Sequence, residues 1–307
     1  MVQLALEIRP SAPPDSPVAL PAGPAVGRGR AVLSFIIHHP LLTISLLFLL
    51  FLVVAALFPG LIAPFPPDTA NLDTLRLTPS AAHLFGTDQL GRDIFSRVVY
   101  GTRITLVVGL LSTALATFAG GLIGLIAGAV GGWLDSVLMR FSEIMLAFPG
   151  ILLAMAIVAA AGPNEQDLII AVGVAALPTY AKLMRNQVRV VRERPFIEAA
   201  VATGTRRRTI LFGHLLPNTY SSLLALATLG IGINILAGSS LSFLGLGPPP
   251  PSPEWGAMVS DGAGQIATSW WMSLFPGLTI VLTVLALSVV GQFLRARWDI
   301  RSGENSQ

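Results

Sequence analysis

The sequence predicts an all-α membrane protein with six transmembrane helices. Its 307 residues are 53% hydrophobic and only 11% charged, with a mean hydropathy of +0.73. Soluble domains carry roughly a quarter charged residues, so this composition indicates a membrane. Six stretches are also apolar over the ~20 residues that a helix needs to cross the hydrocarbon core.

The six predicted spans follow one another along the chain. Pro64 ends the first, and the second contains no charged residue. The fourth is the least apolar, because Lys182 and Arg185 lie in its last turns, from which long side chains can reach the interface. The predicted ranges are 41–63, 104–130, 141–161, 167–187, 219–243 and 274–294.

The domain organisation follows from these spans. Residues 1–30 contain six prolines and no apolar period, which predicts a disordered tail. A cleaved signal peptide is disfavoured, because the apolar run that follows is too long and no small-residue cleavage site succeeds it. We expect a first helix with an external loop over 31–102, a core of five transmembrane helices over 103–301, and a short tail over 302–307.

The basic residues predict the orientation, because cytoplasmic loops carry an excess of Lys and Arg. With the N-terminus inside, fifteen basic residues lie on the cytoplasmic side and four outside. Both termini are therefore expected in the cytoplasm. The four outside are Arg76, Arg92, Arg97 and Arg103.

One face of the second span carries Gly120, Gly124 and Gly128 in "GGLIGLIAG". Small residues four apart allow helix backbones to approach closely. This pattern fits a seam with a partner chain or along a pore as well as it fits packing within the chain.

Residues for catalysis or metal binding are scarce. There is no cysteine, and the four histidines lack zinc-ligand spacing. No phosphate-binding G-x-x-x-x-G-K-[ST] motif occurs, and Lys182 is the only lysine. We expect no cofactor on this chain and no enzymatic activity. Asp135 and Glu143 are interpreted as helix-end residues near Arg140.

A polar, basic stretch, "IEAAVATGTRRRTILFGHLLPN" (197–218), interrupts the apolar sequence. We expect a short helix from Glu193 to Thr203, a left-handed stop at Gly204, and a second helix capped by Thr205. A loop that only fixes topology and a helix that docks on a partner protein both fit this pattern. A DNA-reading helix-turn-helix does not, because the flanking spans leave no room for its third helix.

This stretch resembles the EAA loop of permease subunits in ATP-binding-cassette (ABC) importers, and "HLLPN" continues the match. The resemblance implies a type I ABC importer permease fold whose cytoplasmic coupling helix seats on an ATPase subunit. Two such ATPases would hold the ATP and Mg²⁺. The expected coupling residues are Glu198, Ala199, Ala200, Ala202, Gly204, Arg206 and Arg207.

Further motifs resemble the second permease of dipeptide, oligopeptide or nickel importers. These are "FGTDQLGRDIFSRVVYGTRITL", "GGWLDSVLMRFSEIMLAFPGILL", "LSFLGLG" and "EWGAMVSDG". The resemblance implies a bacterial inner-membrane protein, a related permease as heterodimer partner, and an extracytoplasmic binding protein. Gly238, Gln292 and Ala296 depart from the pattern at positions where acidic residues are frequent, which leaves the cargo open.

Polar residues inside the spans are candidates for the translocation path or for hydrogen bonds between helices. They are Asn234, Ser239, Ser240 and Ser242. No charged residue lies in the middle of a span, which disfavours the alternative of a gradient-driven transporter or channel.

The outer loop contains Asp88, Arg92 and Asp93. They fit turn caps and local salt bridges, or a contact surface for the binding protein. Trp255, Trp270 and Trp271 are interpreted as residues of the membrane–water interface.

Overall fold

A computed structural model describes residues 39–304, with side chains described through residue 296. The predicted disordered tail, 1–30, lies outside the described residues, as do residues 305–307. Every regular element in the described part is a helix, and the bridge between Thr87 and Asp93 does not extend into a strand. The predicted all-α fold class is confirmed.

The described part contains five single helices long and apolar enough to cross a membrane, and one bent pair that passes the same test together. Two of the long helices, α3 and α8, each include a π turn, at Ala116–Gly120 and Ile210–Leu215. The helices are α1 (Pro40–Leu57), α2 (Pro59–Ile62), α3 (Ile94–Val130), α4 (Gly132–Ala147), α5 (Gly150–Ala161), α6 (Glu165–Arg192), α7 (Pro195–Ala202), α8 (Arg207–Phe243), α9 (Trp255–Ala263) and α10 (Trp271–Glu304).

The predicted third span, 141–161, is not a single helix. α4 and α5 meet at an angle of 91°. Phe148 has an extended backbone (φ −93°, ψ 140°), because the ring of the following Pro149 disfavours helical angles at the residue before it. The bend is therefore set by the local sequence.

The bent pair nevertheless crosses the bundle as one span. Asp135, near the start of α4, bonds to Arg185 and Arg189 near the end of α6. α5 ends at Ala161, close in sequence to the start of α6 at Glu165. Because 28 residues of helix are about 42 Å long, the two ends of α6 lie on opposite sides. With the bent pair counted as one span, the described residues contain six spans.

The glycines of α3 pack against α6 within the chain. A Cβ atom on Gly120 would lie 2.5 Å from the Leu177 carbonyl oxygen, and one on Gly128 would lie 2.8 Å from the Val188 side chain. A Cβ atom on Gly124 would overlap the Ala181 carbonyl oxygen of α6. The structure thus favours packing within the chain over a seam with a partner.

Residues 64–93 and 244–270 form a loop cap at the end of the bundle where α3 begins and α8 ends. Trp255 is fully buried there, and its Nε1 donates to the Val98 carbonyl oxygen at 2.9 Å. Trp271 is buried at the edge of the cap, and its Nε1 donates to the Thr87 carbonyl oxygen at 3.2 Å. The membrane-interface interpretation is wrong for these two residues. Trp270 is exposed.

Candidate functional site

A buried carboxylate and three arginines join three helices at the opposite end of the bundle, the α7 end. Nε and Nη2 of Arg185 donate to the two Asp135 oxygens at 2.6 and 2.7 Å, and Nη2 of Arg189 donates to Oδ2 at 2.6 Å. Arg192 donates to the Gly128 carbonyl oxygen, near the end of α3, at 3.4 Å. Paired charge-assisted bonds of this kind fix geometry as well as add energy. They hold α3, α4 and α6 together just before α7.

This cluster corrects the interpretation of Asp135 from the sequence. Asp135 lies in the first turn of α4, but its partners are on α6 and not at Arg140. Arg140 instead makes an exposed ion pair with Glu143 at 3.6 Å. The sequence shows an acidic residue beside a span, but only tertiary contacts identify its partners.

α7 is attached to the bundle by one apolar side chain. It begins at Pro195, whose fixed φ angle suits the first helical position, and not at the predicted Glu193. Ile197 is its only buried residue, and it lies in a cluster with Val191 and Leu215. The remainder of the helix is available for other contacts.

The end of α7 has the hydrogen bonds of a Schellman motif. Gly204 N–H donates to the Val201 carbonyl oxygen and Thr205 N–H to that of Ala200, both at 3.0 Å. Gly204 has φ +77°, in the left-handed region that glycine adopts without strain. The predicted stop at Gly204 is confirmed.

The predicted coupling residues lie on one exposed segment. Ala200 is half-buried, and the other six are exposed. Within the described residues, the charged side chains among them form no salt bridge. The exposed members are Glu198, Ala199, Ala202, Gly204, Arg206 and Arg207.

The predicted second short helix is not separate from the fifth span. Arg206, and not Thr205, occupies the N-cap position, and the helix continues from Arg207 to Phe243. A π turn precedes Pro217, and Leu216 N–H donates to the carbonyl oxygen of Leu211. Proline provides no N–H and crowds the preceding turn, so a wider turn accommodates it. The exposed segment is thus covalently continuous with a membrane helix on each side.

Three of the four path candidates are buried within the chain. Asn234 Nδ2 donates to Thr113 Oγ1 on α3 at 2.8 Å. Ser239 and Ser242 are also buried. Ser240 is half-buried and, together with Ser239, lines an open groove of 380 Å³ between α8, α9 and α10. Asn234 makes the interhelical hydrogen bond that was the alternative to a role in the path.

A buried glutamate that the sequence analysis missed connects α9 to the bundle. Glu254 Oε1 accepts from Ser239 Oγ at 3.3 Å and from Thr105 Oγ1 at 3.4 Å, and Oε2 accepts from the Ala257 N–H at 2.9 Å. Burial raises the pKa of this carboxyl group above its usual range, although these hydrogen bonds oppose the effect. The acid in "EWGAM" was a visible signal, but its burial depends on the packing of three helices.

The three outer candidates lie below the surface of the loop cap. Asp88 accepts from the N–H groups of Leu90 and Arg92 and from Arg92 Nε, at 2.6–2.9 Å. Asp93 caps α3 by accepting from the Ser96 N–H at 2.7 Å. Asp88, Arg92 and Asp93 are 4–6% exposed, so their contacts are those of turn and cap residues. They do not form an exposed surface for another protein.

Gly238, one of the departures from the permease pattern noted in the sequence, faces α3. A Cβ atom there would lie 2.8 Å from Val108 Cγ1, so a larger side chain needs a different spacing of α3 and α8. Gln292 is exposed on α10. No three His, Asp or Glu side chains in the described part of the chain are grouped to hold a metal ion.

Six apolar spans, with a short exposed helix between the fourth and fifth, define a polytopic membrane protein whose arrangement fits the class of transport permeases. The sequence-family model of the binding-protein-dependent transport system inner membrane component matches residues 120–301. The model of the N-terminal transmembrane domain of oligopeptide transport permease C matches residues 30–79. The chain belongs to this family of binding-protein-dependent inner-membrane permeases.

Curated relatives agree over most of the chain. The dipeptide transport system permease protein DppC of Alkalihalophilus pseudofirmus is 41% identical over 93% of this chain and 94% of its own. The glutathione transport system permease protein GsiD of Pectobacterium atrosepticum is 41% identical, covering 82% and 84%. The probable D,D-dipeptide transport system permease protein DdpC of Escherichia coli is 37% identical, covering 86% and 89%.

A solved structure supports the fold. An inward-facing structure of the MetNI methionine ABC transporter matches with a TM-score of 0.56 and 18% identity, over 65% of this chain and 95% of that chain. The chain is therefore a multi-pass inner-membrane permease subunit of an ABC importer and is not itself an enzyme. Membership of the family implies a permease partner, ATPases and a binding protein.

Proposed function

We propose that this permease forms, with a related permease, the path for dipeptides and short oligopeptides that an extracytoplasmic binding protein delivers. The curated relatives support this substrate class, because their names specify dipeptide, D,D-dipeptide and glutathione transport. Glutathione is itself a short peptide derivative. A 380 Å³ groove beside Ser240 is a candidate part of the path, which the partner permease would complete.

The α7 segment transmits the motion of a cytoplasmic ATPase to the spans. One observation carries this proposal: an exposed helix with a hydrogen-bonded C-terminal cap is joined to α8 by the short turn 203–206 and follows directly on the α6 turns held by Asp135. A displacement at α7 therefore moves two spans as rigid bodies, which is how packed helices transmit a switch. ATP and Mg²⁺ bind to the two ATPase subunits and not to this chain.

The α7 end faces the cytoplasm in this proposal. Arg185, Arg189 and Arg192 lie at this end, and Arg206 to Arg208 follow on the exposed segment. This arrangement fits the excess of basic residues on cytoplasmic sides. Because six spans separate the two ends of the chain, both termini are then cytoplasmic.

Site-specific cross-linking tests the coupling role, since the natural chain has no cysteine. Ala202→Cys places a thiol on exposed α7, and Ala160→Cys places a control thiol on an exposed position at the other end of the bundle. In native membranes containing the whole importer, we expect Ala202→Cys alone to capture an ATPase subunit, with a yield that changes on adding ATP. Labelling of Ala202→Cys by an impermeant maleimide from outside the cell would refute the orientation and the coupling role together.

The substrate is tested by uptake. Cells lacking the permease gene should lose accumulation of a labelled, non-hydrolysable dipeptide and regain it with the natural chain. Excess unlabelled dipeptide should compete, whereas nickel should not. Uptake that nickel competes for and dipeptides do not would overturn the substrate class while leaving the permease assignment intact.

A further inference from the structure

A groove between α3 and α8 runs from the α7 end into the apolar part of the bundle. Its mouth, a space of 470 Å³, is bordered by Arg192, Arg207 and Arg208. Farther along the same helices lies a space of 650 Å³ with almost entirely apolar walls, including Leu122 and Phe212. The charged groups are thus confined to one end.

The two spaces follow one another along α3 and α8, from which we infer one groove. On α3, Leu125 lines the inner part and Ala129 lines the mouth, and residues four apart share a helix face. On α8, Leu215 at the mouth is adjacent to Leu216 in the inner part. From Ala129 to Leu110, the groove follows α3 for about 28 Å at 1.5 Å per residue. That length is comparable with the ~30 Å hydrocarbon core of a bilayer.

The mouth is suited to an anion. Within the part of the chain that the structure describes, none of the three arginines forms an ion pair. Arg192 is held beside the end of α3 by its bond to the Gly128 carbonyl oxygen. Arginine forks match the geometry of phosphate oxygens, and a basic pocket between membrane helices is a recognised arrangement for lipid head groups.

The inner part is suited to a hydrocarbon chain. Thr113 is one of only two polar side chains lining it, and its hydroxyl group is already bonded to the Gly109 carbonyl oxygen and to Asn234. Leu110, Leu122 and Phe212 are each about half exposed. Such an apolar surface at membrane depth must be covered by protein or by lipid.

We propose that this groove binds an anionic glycerophospholipid, with its phosphate at the three arginines and an acyl chain between α3 and α8. The positive charge at the mouth favours an anionic head group. Because charge lies at one end of the groove and the rest of its wall is apolar, the fitting ligand is an amphiphile. A protein segment would need acidic residues at one end only and an apolar remainder. Of the coupling residues, only Arg207 lines this site, but Ile197 and Val201 of α7 also border its mouth.

Lipid retention by the purified importer tests the proposal. The complex is placed in bilayer nanodiscs of equal amounts of phosphatidylglycerol and phosphatidylcholine with identical acyl chains, and retained lipids are identified by native mass spectrometry. The variant Arg192→Gln/Arg208→Gln leaves Arg207 intact. The matched control is Arg140→Gln, an exposed arginine outside the groove. We expect the natural complex and the control to retain phosphatidylglycerol preferentially, and the double variant to retain both lipids equally.

A second pair of variants tests the acyl-chain part. Ala114→Phe places a ring in the groove, whereas Ala160→Phe adds the same ring at an exposed position elsewhere. We expect only Ala114→Phe to reduce retention of both lipids. Equal retention of the two lipids by the natural complex, or a preference unchanged in the double variant, would overturn the proposal. A photo-cross-linker at position 208 that captures an ATPase or permease subunit and no lipid would assign the groove to that protein.

Discussion

Replacing Asp135 by asparagine should destabilise the protein far more than removal of a surface charge. The substitution keeps the shape of a 5% exposed side chain but leaves Arg185 and Arg189 without their counter-charge. Removing one partner of a fully buried ion pair costs about 3–5 kcal/mol. The side chains of Arg185 and Arg189 are 21% and 50% exposed, so water stabilises part of the stranded charge. We therefore expect a loss of about 2–3 kcal/mol in the free energy of unfolding.

Equilibrium unfolding in mixed detergent micelles measures this effect. Glu143→Gln is the matched control, because it removes an acidic group from the same helix whose ion pair with Arg140 is exposed. Exposed pairs contribute about 0–1 kcal/mol. A double variant, Asp135→Asn/Arg185→Gln, should lose less than the sum of the two single variants, because the two residues interact directly. Equal losses for Asp135→Asn and Glu143→Gln would refute the reasoning that the cluster holds α4 to α6.

Three further predictions concern glycines and the buried glutamate. Gly204→Ala and Gly245→Ala each place a Cβ in open space at positive φ, within the same type of helix stop, at a cost of about 1–2 kcal/mol. ATP-driven uptake should fall in Gly204→Ala and persist in Gly245→Ala. Equal uptake by the two variants would contradict the coupling role of Gly204. Gly124→Ala brings a methyl group against the α6 backbone and should lower the free energy of unfolding by about 1–3 kcal/mol. Gly150→Ala, with open space around the new methyl group, should leave the free energy of unfolding unchanged. The raised pKa of Glu254 means that the folded protein holds this proton more tightly, so the site's contribution to stability is greatest below the unfolded-state pKa and is lost as pH rises through the folded-state pKa. Glu254→Gln should therefore gain stability relative to the natural protein as pH rises from acid to neutral, and a pH-independent difference would show that folding does not shift the pKa of this carboxyl group.

The α7 segment shows how far local sequence reasoning reaches. Gly204 was identifiable as the stop because few other residues adopt a left-handed backbone without strain, and the structure has φ +77° there. The cap of the following helix was predicted wrongly at Thr205. The Thr205 hydroxyl lies 3.3 Å from that of Thr203 instead, because the chain enters α8 through Arg206 and a π turn. Local rules predict that a helix ends but not how the next one joins a span.

The third span shows the same limit of local sequence rules. Its apolar length and the proline in "AFPG" are both visible in the sequence. Whether a proline bends a span or ends it depends on what packs on each half. Here Asp135 on α4 binds the end of α6, whereas Val158 on α5 packs near its beginning, so that the two halves cross the bundle together.

The sequence by itself determined the membrane class, the apolar spans and the position of the exposed α7 segment, because hydropathy, helix length and turn chemistry act between neighbouring residues. Only the tertiary structure decided the partners of Asp135, the burial of Glu254 and Trp255, and the groove between α3 and α8. Each of these depends on atoms that are distant in the chain, and the free energy of a buried charge or an open apolar face is set by what surrounds it. Thus an acidic residue is exposed at Glu143, holds two helices together at Asp135 and is buried in the loop cap at Glu254.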